Sequence, residues 1–203
     1  MGYKYDIFIS YRRSNETLKW LNDHFIPLLK FRVGMELENE PSIFLDEQLE
    51  VGGTWPLTLG DALSNSKIII PLWSKNYINS QWCITEISHM LEREKITGCR
   101  SKHNHYGIII PIVIHDGENI PVVLQVIQKL EIQECFNVRM HQNSPKAEKL
   151  DELLMSIAPD VAKAITDVPP WQKSWGIKVK NELYRLFYEK QKPLKYKKPK
   201  FLQ

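Results

Sequence analysis

The chain has no run of about 18 uninterrupted apolar residues, so no membrane-spanning helix is expected. Its opening, MGYKYDIFIS, lacks the long apolar segment and small-residue cleavage site of a secretory leader. Gly2 fits a myristoylation signal only in part, because Asp6 stands where that signal has Ser or Thr. Cysteine is scarce. Cys83, Cys99 and Cys135 are odd in number and scattered, which suits free thiols in a reducing cytoplasm better than a disulfide framework. No Gly-x-x-x-x-Gly-Lys phosphate loop and no well-placed Gly-x-Gly-x-x-Gly occurs, so a nucleotide held as a resident redox cofactor is not expected. Cys99, His103 and His105 share a loop but lack an evident fourth ligand, so no metal is assigned. Cys83 has no His in an obvious pairing position, which speaks against a cysteine nucleophile.

What is present supports one core: 203 residues, 43% of them hydrophobic. The net charge of +3 comes from one place. Lys190 to Gln203 carries six lysines and no acid, and without it 21 basic residues face 24 acidic ones. Such a Lys/Pro terminus reads as a solvated end, and nucleic acid is not the expected partner.

The patterning alternates between strand and helix. YKYDIFIS (Tyr3–Ser10) reads as a first strand, and ETLKWLNDHFIPLLKF as a helix capped by Ser14 or Asn15 and kinked or divided at Pro27. SIFLD (Ser42–Asp46) is a short second strand, and PLTLGDALSNS a short helix beginning with Pro56. KIIIPLWS is a third strand whose continuous apolar run implies cover on both faces. A helix over Ser80–Lys95 follows, then a fourth strand in YGIIIPIVIHDG, a short helix in IPVVLQVIQ and a weaker fifth strand in LEIQECFN. Two helical segments end the pattern, PKAEKLDELLMSIAPDVAKAI and WQKSWGIKVKNELYRLFYEKQK. The expected fold is α/β: a flavodoxin-like three-layer arrangement, with a five-stranded, mostly parallel sheet, helices on both faces and a helical C-terminal extension.

Ligands of such sheets sit beyond the carboxyl ends of the strands, where the strand order reverses. With strand one central, that crevice gathers Ser10, Tyr11, Arg12 and Arg13 from strand one. The second loop adds Asp46 and Glu50, the end of strand three Trp73 and Ser74, and the next helix Trp82 and Glu86. Trp82 and Glu86, four apart, share one helical face. Each residue has two readings. Arg12 and Arg13 suit a pyrophosphate or form a salt-bridged strand end. Tyr11 and Trp73 stack on a base or pack in the core. Ser10 and Ser74 donate to a ligand or cap helices. Asp46 contacts a ligand or closes a strand. Glu50, Gly52 and Gly53 form a mobile loop or an ordinary turn.

Three ordered segments carry a family resemblance. YDIFISYRR resembles the first box of the TIR (Toll/interleukin-1 receptor) domain, and IFLDEQLEVGGTW its second strand and BB loop. IIIPLWSKNYINSQWCITEI resembles its third strand and the helix bearing Trp-x-x-x-Glu. The match runs from about Tyr5 to Phe136, and the NAD-consuming bacterial type is the nearest in character. The resemblance implies a TIR domain over residues 1–140, a helical extension over 141–189 packed on it, and a basic tail over 190–203.

It also implies chemistry. Catalytic TIR domains cleave the nicotinamide–ribose bond of NAD, which is a substrate and not a cofactor, as NAD+ nucleosidases or ADP-ribosyl cyclases. Glu86 takes the catalytic place, and Trp82 shapes and dries the pocket. The product is ADP-ribose, a cyclic isomer or another signalling nucleotide, in a cytoplasmic setting resembling bacterial anti-phage defence. The implied partners are other TIR domains, through self-association that completes the pocket, and a separate effector protein that senses the product. The alternative is a non-catalytic adaptor acting by TIR–TIR assembly. A magnesium-holding phosphoacceptor domain of the same topology is excluded by the basic SYRRS corner, where acids would be needed. A nucleoside deoxyribosyltransferase-like enzyme remains a further option.

Overall fold

A computed structural model of the chain describes residues 2–46, 55–101 and 106–190. In chain order, β1 (Tyr5–Ser10) leads to α1 (Asn15–Trp20), α2 (Ile26–Glu36) and β2 (Ile43–Leu45). After α3 (Trp55–Ser64) come β3 (Ser66–Trp73), the single-turn α4 (Lys75–Ile78) and α5 (Gln81–Thr97). The remainder is β4 (Ile112–Val113), α6 (Val122–Gln125), β5 (Leu130–Glu131), α7 (Pro145–Thr166) and α8 (Ser174–Lys190).

The sheet order is β2-β1-β3-β4-β5 and every pair is parallel. β1 is central, with Ile7 opposite both Ile43 and Ile68 and Ile9 opposite Leu45 and Ile70. Right-handed crossovers on either side of β1 place α1 and α2 on one face and α3 and α5 on the other. Strands covered on both faces bury every residue, and Ile68, Ile69, Ile70 and Leu72 of β3 are fully buried. This is the flavodoxin-like architecture, and its strand order reverses between β1 and β3.

Two breaks have local causes. Between α1 and α2 the backbone passes through a π-turn, Leu21–Phe25, where the Ile26 N–H reaches back to the Leu21 carbonyl. Pro27 lacks an N–H and crowds the carbonyl of Asp23, so one widened turn absorbs the defect and the helix continues. The fourth strand, expected across Tyr106–Gly117, is only Ile112–Val113 plus a single bridge from Ile109 to Ile69. Pro111 falls between them and offers no donor to a ladder.

α5 is fixed at both ends. The Ser80 hydroxyl accepts from the Cys83 N–H, and Gly98, at φ 75°, supplies the left-handed turn that ends the helix. Arg93 pins its middle: Nη1 donates to the Ser66 carbonyl at 2.8 Å, and Nη2 to the Tyr3 hydroxyl at 2.7 Å. Its guanidinium lies 4.1 Å from the Trp175 ring centroid.

The C-terminal helices cover the domain from two sides: α8 packs on α3 and α5, while α7 packs on α2 and touches β3. Trp171 donates its indole N–H to the Ser64 carbonyl at 3.1 Å, and Tyr184 is exposed. The side chain of Phe187 lies outside the described residues.

Candidate active site

β1 ends on Ser10, which is buried at the switch point beside β3. One short turn beyond β3, Ser74 caps α4 by accepting from the Tyr77 N–H at 3.2 Å, and so fixes Tyr77 in the interior. α5 then brings Cys83 and Glu86 inward on one face. The result is a buried polar cluster. Ser10 Oγ donates to Glu86 Oε2 at 2.5 Å and lies 2.6 Å from the Tyr77 hydroxyl. That hydroxyl is 3.4 Å from the Cys83 carbonyl, and the Cys83 thiol approaches the Tyr11 carbonyl at 3.7 Å.

Glu86 is 6% exposed. Burial pushes its carboxyl up to about 8, the Ser10 hydrogen bond opposes that shift, and the negative charge of Asp46 adds to it. The carboxyl is therefore mostly protonated at neutral pH while no cation lies near it. Burial also pushes the Cys83 thiol up to about 12, so it is no thiolate nucleophile. Tyr77 rises well above the ordinary phenol value for the same reason and stays neutral.

The other expected residues separate. Trp82, one turn before Glu86, is half-buried against the main core. Trp73 is not a stacking platform: it is fully buried in a second cluster with Tyr77, Cys83 and Ile87. Its indole N–H has no partner among the described residues. Tyr11 also takes the core reading, since it is buried and donates its hydroxyl to the Asp46 carbonyl at 2.9 Å. That bond ties the ends of β1 and β2 together. Ser74 acts as a cap. Arg13 and Asp46 form a loose pair at 3.9 Å, the strand-end reading. Arg12 is exposed and makes no hydrogen bond or ion pair among the described residues, and its charge is felt at the Cys83 thiol. Glu50, with Gly52 and Gly53, lies outside the described residues, as do His103 and His105. Among the described residues no group of His, Cys, Asp and Glu could hold a metal.

Tyr77 is the site residue that sequence reasoning missed. Its one signal is indirect: Ser74, read as a cap, sets the face on which the third residue of the following turn lies.

The family model described as TIR domain matches residues 7–154. The chain belongs to the TIR domain family. The match carries the family boundary past Phe136 into α7. Among curated relatives, TMV resistance protein N of Nicotiana glutinosa is 31% identical over 90 residues, which is 44% of this chain and 7% of that protein. Disease resistance protein RPS4 of Arabidopsis thaliana is 23% identical over 185 residues, covering 82% of this chain and 14% of that protein. The chain thus spans only a small part of the length of these relatives. Among solved structures, the TIR domain of the Toll-related receptor TRR-2 from Hydra magnipapillata is 21% identical. That alignment covers 63% of this chain and 84% of that one, at a TM-score of 0.45.

Proposed function

We propose that this TIR domain cleaves the nicotinamide–ribose bond of NAD, with Glu86 as the catalytic carboxylate. The observation that carries the reading is the buried Glu86, held by Ser10 where the strand order reverses; burial pushes its carboxyl up, and a cation beside it would favour the anion. NAD brings that cation. The pyridinium next to Glu86 favours loss of the carboxyl proton to solvent, and the resulting anion lies where positive charge develops on the ribose. The C1′–N bond then breaks with both electrons going to the nicotinamide nitrogen, which departs neutral. Water captures the ribosyl carbon and gives up one proton, so the hydrolytic products are nicotinamide, ADP-ribose and a proton. Capture by another atom of the same dinucleotide gives a cyclic isomer instead, and an external acceptor gives another signalling nucleotide. A carboxylate strengthens the transition state more than the ground state, because the charge it faces grows along the reaction.

In this reading Trp82, one turn before Glu86, shapes the substrate pocket, and Arg12 offers an exposed guanidinium for phosphate. Self-association through TIR–TIR contacts and a separate effector protein that senses the product belong to the same proposal. So do the cytoplasmic setting and a role in immunity: anti-phage defence by the resemblance, with relatives named for disease resistance supporting immunity in general. The test is incubation with NAD and identification of products by mass. Glu86→Ala is expected to lower nicotinamide release by at least about a hundredfold, with an unchanged circular dichroism spectrum. Wild-type release from the folded variant refutes the assignment.

The burial of Glu86 favours a second reading, the non-catalytic adaptor, in which a sealed acid only braces β1 against α5. A folded wild type that consumes no NAD even at high protein concentration supports that reading.

A further inference from the structure

Tyr77 has a hydroxyl where packing alone needs none. Its ring is fully buried, and a phenylalanine ring would fill the same space among Trp73, Cys83 and Ile87. A buried hydroxyl is retained at a desolvation cost unless its hydrogen bonds repay it. Here they lead to Glu86.

Each group in the cluster has a fixed number of protons, and that decides the direction of its bonds. With the Glu86 proton carried on Oε2, that oxygen donates to Ser10 Oγ, Ser10 donates to the Tyr77 oxygen, and Tyr77 donates to the Cys83 carbonyl. With the carboxyl ionised, Ser10 must donate to Oε2. Tyr77 then turns its proton onto Ser10, and the 3.4 Å contact with Cys83 is given up. That contact is long, and the Cys83 carbonyl lies in the first turn of a 17-residue helix that supplies its own donor, so its loss is small. The 2.5 and 2.6 Å links serve both states.

We propose that Tyr77 is a positioning residue for Glu86, acting through Ser10 in a three-group hydrogen-bond chain that reverses direction as the carboxyl gains or loses its proton. This deepens the proposed catalytic reading and rests on it for function, though not for the chain itself. The reversal lets a buried acid ionise without leaving an unsatisfied donor in either state, and holds Oε2 in one place throughout.

The other groups facing Glu86 do not duplicate this. From β1, Ser10 is the sole hydroxyl donor to the carboxyl among the described residues, and Tyr11 directs its hydroxyl to the Asp46 carbonyl. After β2, the Asp46 charge opposes ionisation, and Arg13 lies 3.9 Å from it. From α4 and α5, Tyr77 and the Cys83 thiol are both neutral across the working range. Arg12 acts at Cys83 by its charge alone.

The test follows the Glu86 side-chain carboxyl by carbon-13 NMR, with Glu86→Gln identifying its signal. In wild type, the Tyr77 ring carbon bearing oxygen is expected to shift over the same pH range as Glu86, because its acceptor changes. In Tyr77→Phe Ser10 loses the donor that supports its own bond to the carboxylate, and the carboxylate fraction at pH 8 is expected to fall about tenfold. Ser10→Ala falls at least as far, and Ser10→Ala with Tyr77→Phe falls no further than Ser10→Ala alone. In the same variants, the acid limb of kcat/KM for nicotinamide release moves to higher pH; a merely structural role would lower kcat/KM alike at every pH. A Tyr77 signal that stays flat while Glu86 titrates overturns the chain, and that measurement needs no variant to fold. An unmoved Glu86 titration in folded Tyr77→Phe also overturns it. If the coupled titrations appear but wild type releases no nicotinamide, the chain stands and the enzymatic reading falls.

Discussion

At the scale of single residues, the proposed chemistry and its pH dependence both rest on one carboxyl. In that proposal Glu86 has to ionise to act, and burial pushes its carboxyl up to about 8. kcat/KM reports the free enzyme, so it is expected to rise with pH through about that value and to fall about tenfold per pH unit below it. kcat reports the bound state, in which the pyridinium stabilises the anion, so its limb is expected at lower pH. Coincident limbs in a pH–rate titration would contradict the charge pairing. The same shift acts on stability. Between the ordinary value of 4.5 and about 8, the unfolded chain releases the proton that the folded protein keeps. Stability therefore declines across that window as pH rises, and above it the loss is complete. Glu86→Gln is expected to melt several degrees above wild type at pH 9 and level with it near pH 4, by thermal denaturation. The spacing of Trp82 and Glu86 made this acid visible in the sequence, because four residues is one helical turn. Trp73 and Tyr77 were not legible in the same way. Both are aromatic and near the crevice in sequence, and only three-dimensional packing decides that one fills the core and the other reaches Ser10.

Among secondary-structure elements, α5 determines where Glu86 lies, and α8 holds α5. Gly60 of α3 meets Lys180 of α8 so closely that an added Cβ would lie 3.1 Å from the Lys180 Cα and 3.3 Å from its backbone nitrogen. Backbone atoms within a helix cannot yield as a side chain tip does. Gly60→Val is therefore expected to lose about 1–3 kcal/mol, with hydrogen exchange speeding up in α8 before it does in β3. Uniform exchange along the chain would mean that the two helices are less closely coupled than their contact implies. The order of elements was readable because periodicity changes from two to nearly four at each boundary. The ends of α5 were only partly readable: the helix was expected to stop at Lys95, and the structure carries it to Thr97, with Ser80 as its N-cap and Gly98 ending it. The truncation of the fourth strand at Pro111 was available from the sequence and outweighed by the apolar run around it. The resting place of α8 was not. Its apolar face says only that something covers it, and α3 and α5 satisfy that as well as the sheet would.

For the molecule as a whole, the central difficulty is access. A ribose hydroxyl cannot share Glu86 while its carboxyl is sealed at 6% exposure and bonded to Ser10. Releasing or sharing a hydrogen bond to a charged group disfavours the open arrangement by roughly 1.5–3 kcal/mol, which leaves the open form a minor population in a lone chain. In the proposed reaction, NAD alone would have to meet that penalty from its own binding. A second copy of the chain that packs only against the open crevice shifts the balance by mass action, without any new catalytic group. The expected result is a rate of nicotinamide release per protomer that climbs with protein concentration and flattens once association is complete. Initial rates over about a hundredfold range of concentration, read against sedimentation velocity, measure both quantities on one sample. A substitution that blocks association is expected to remove the climb while leaving the Glu86 titration where it was. A per-protomer rate that stays constant from monomer to assembly would place the opening step within the single chain, and self-association would then have no part in exposing the acid.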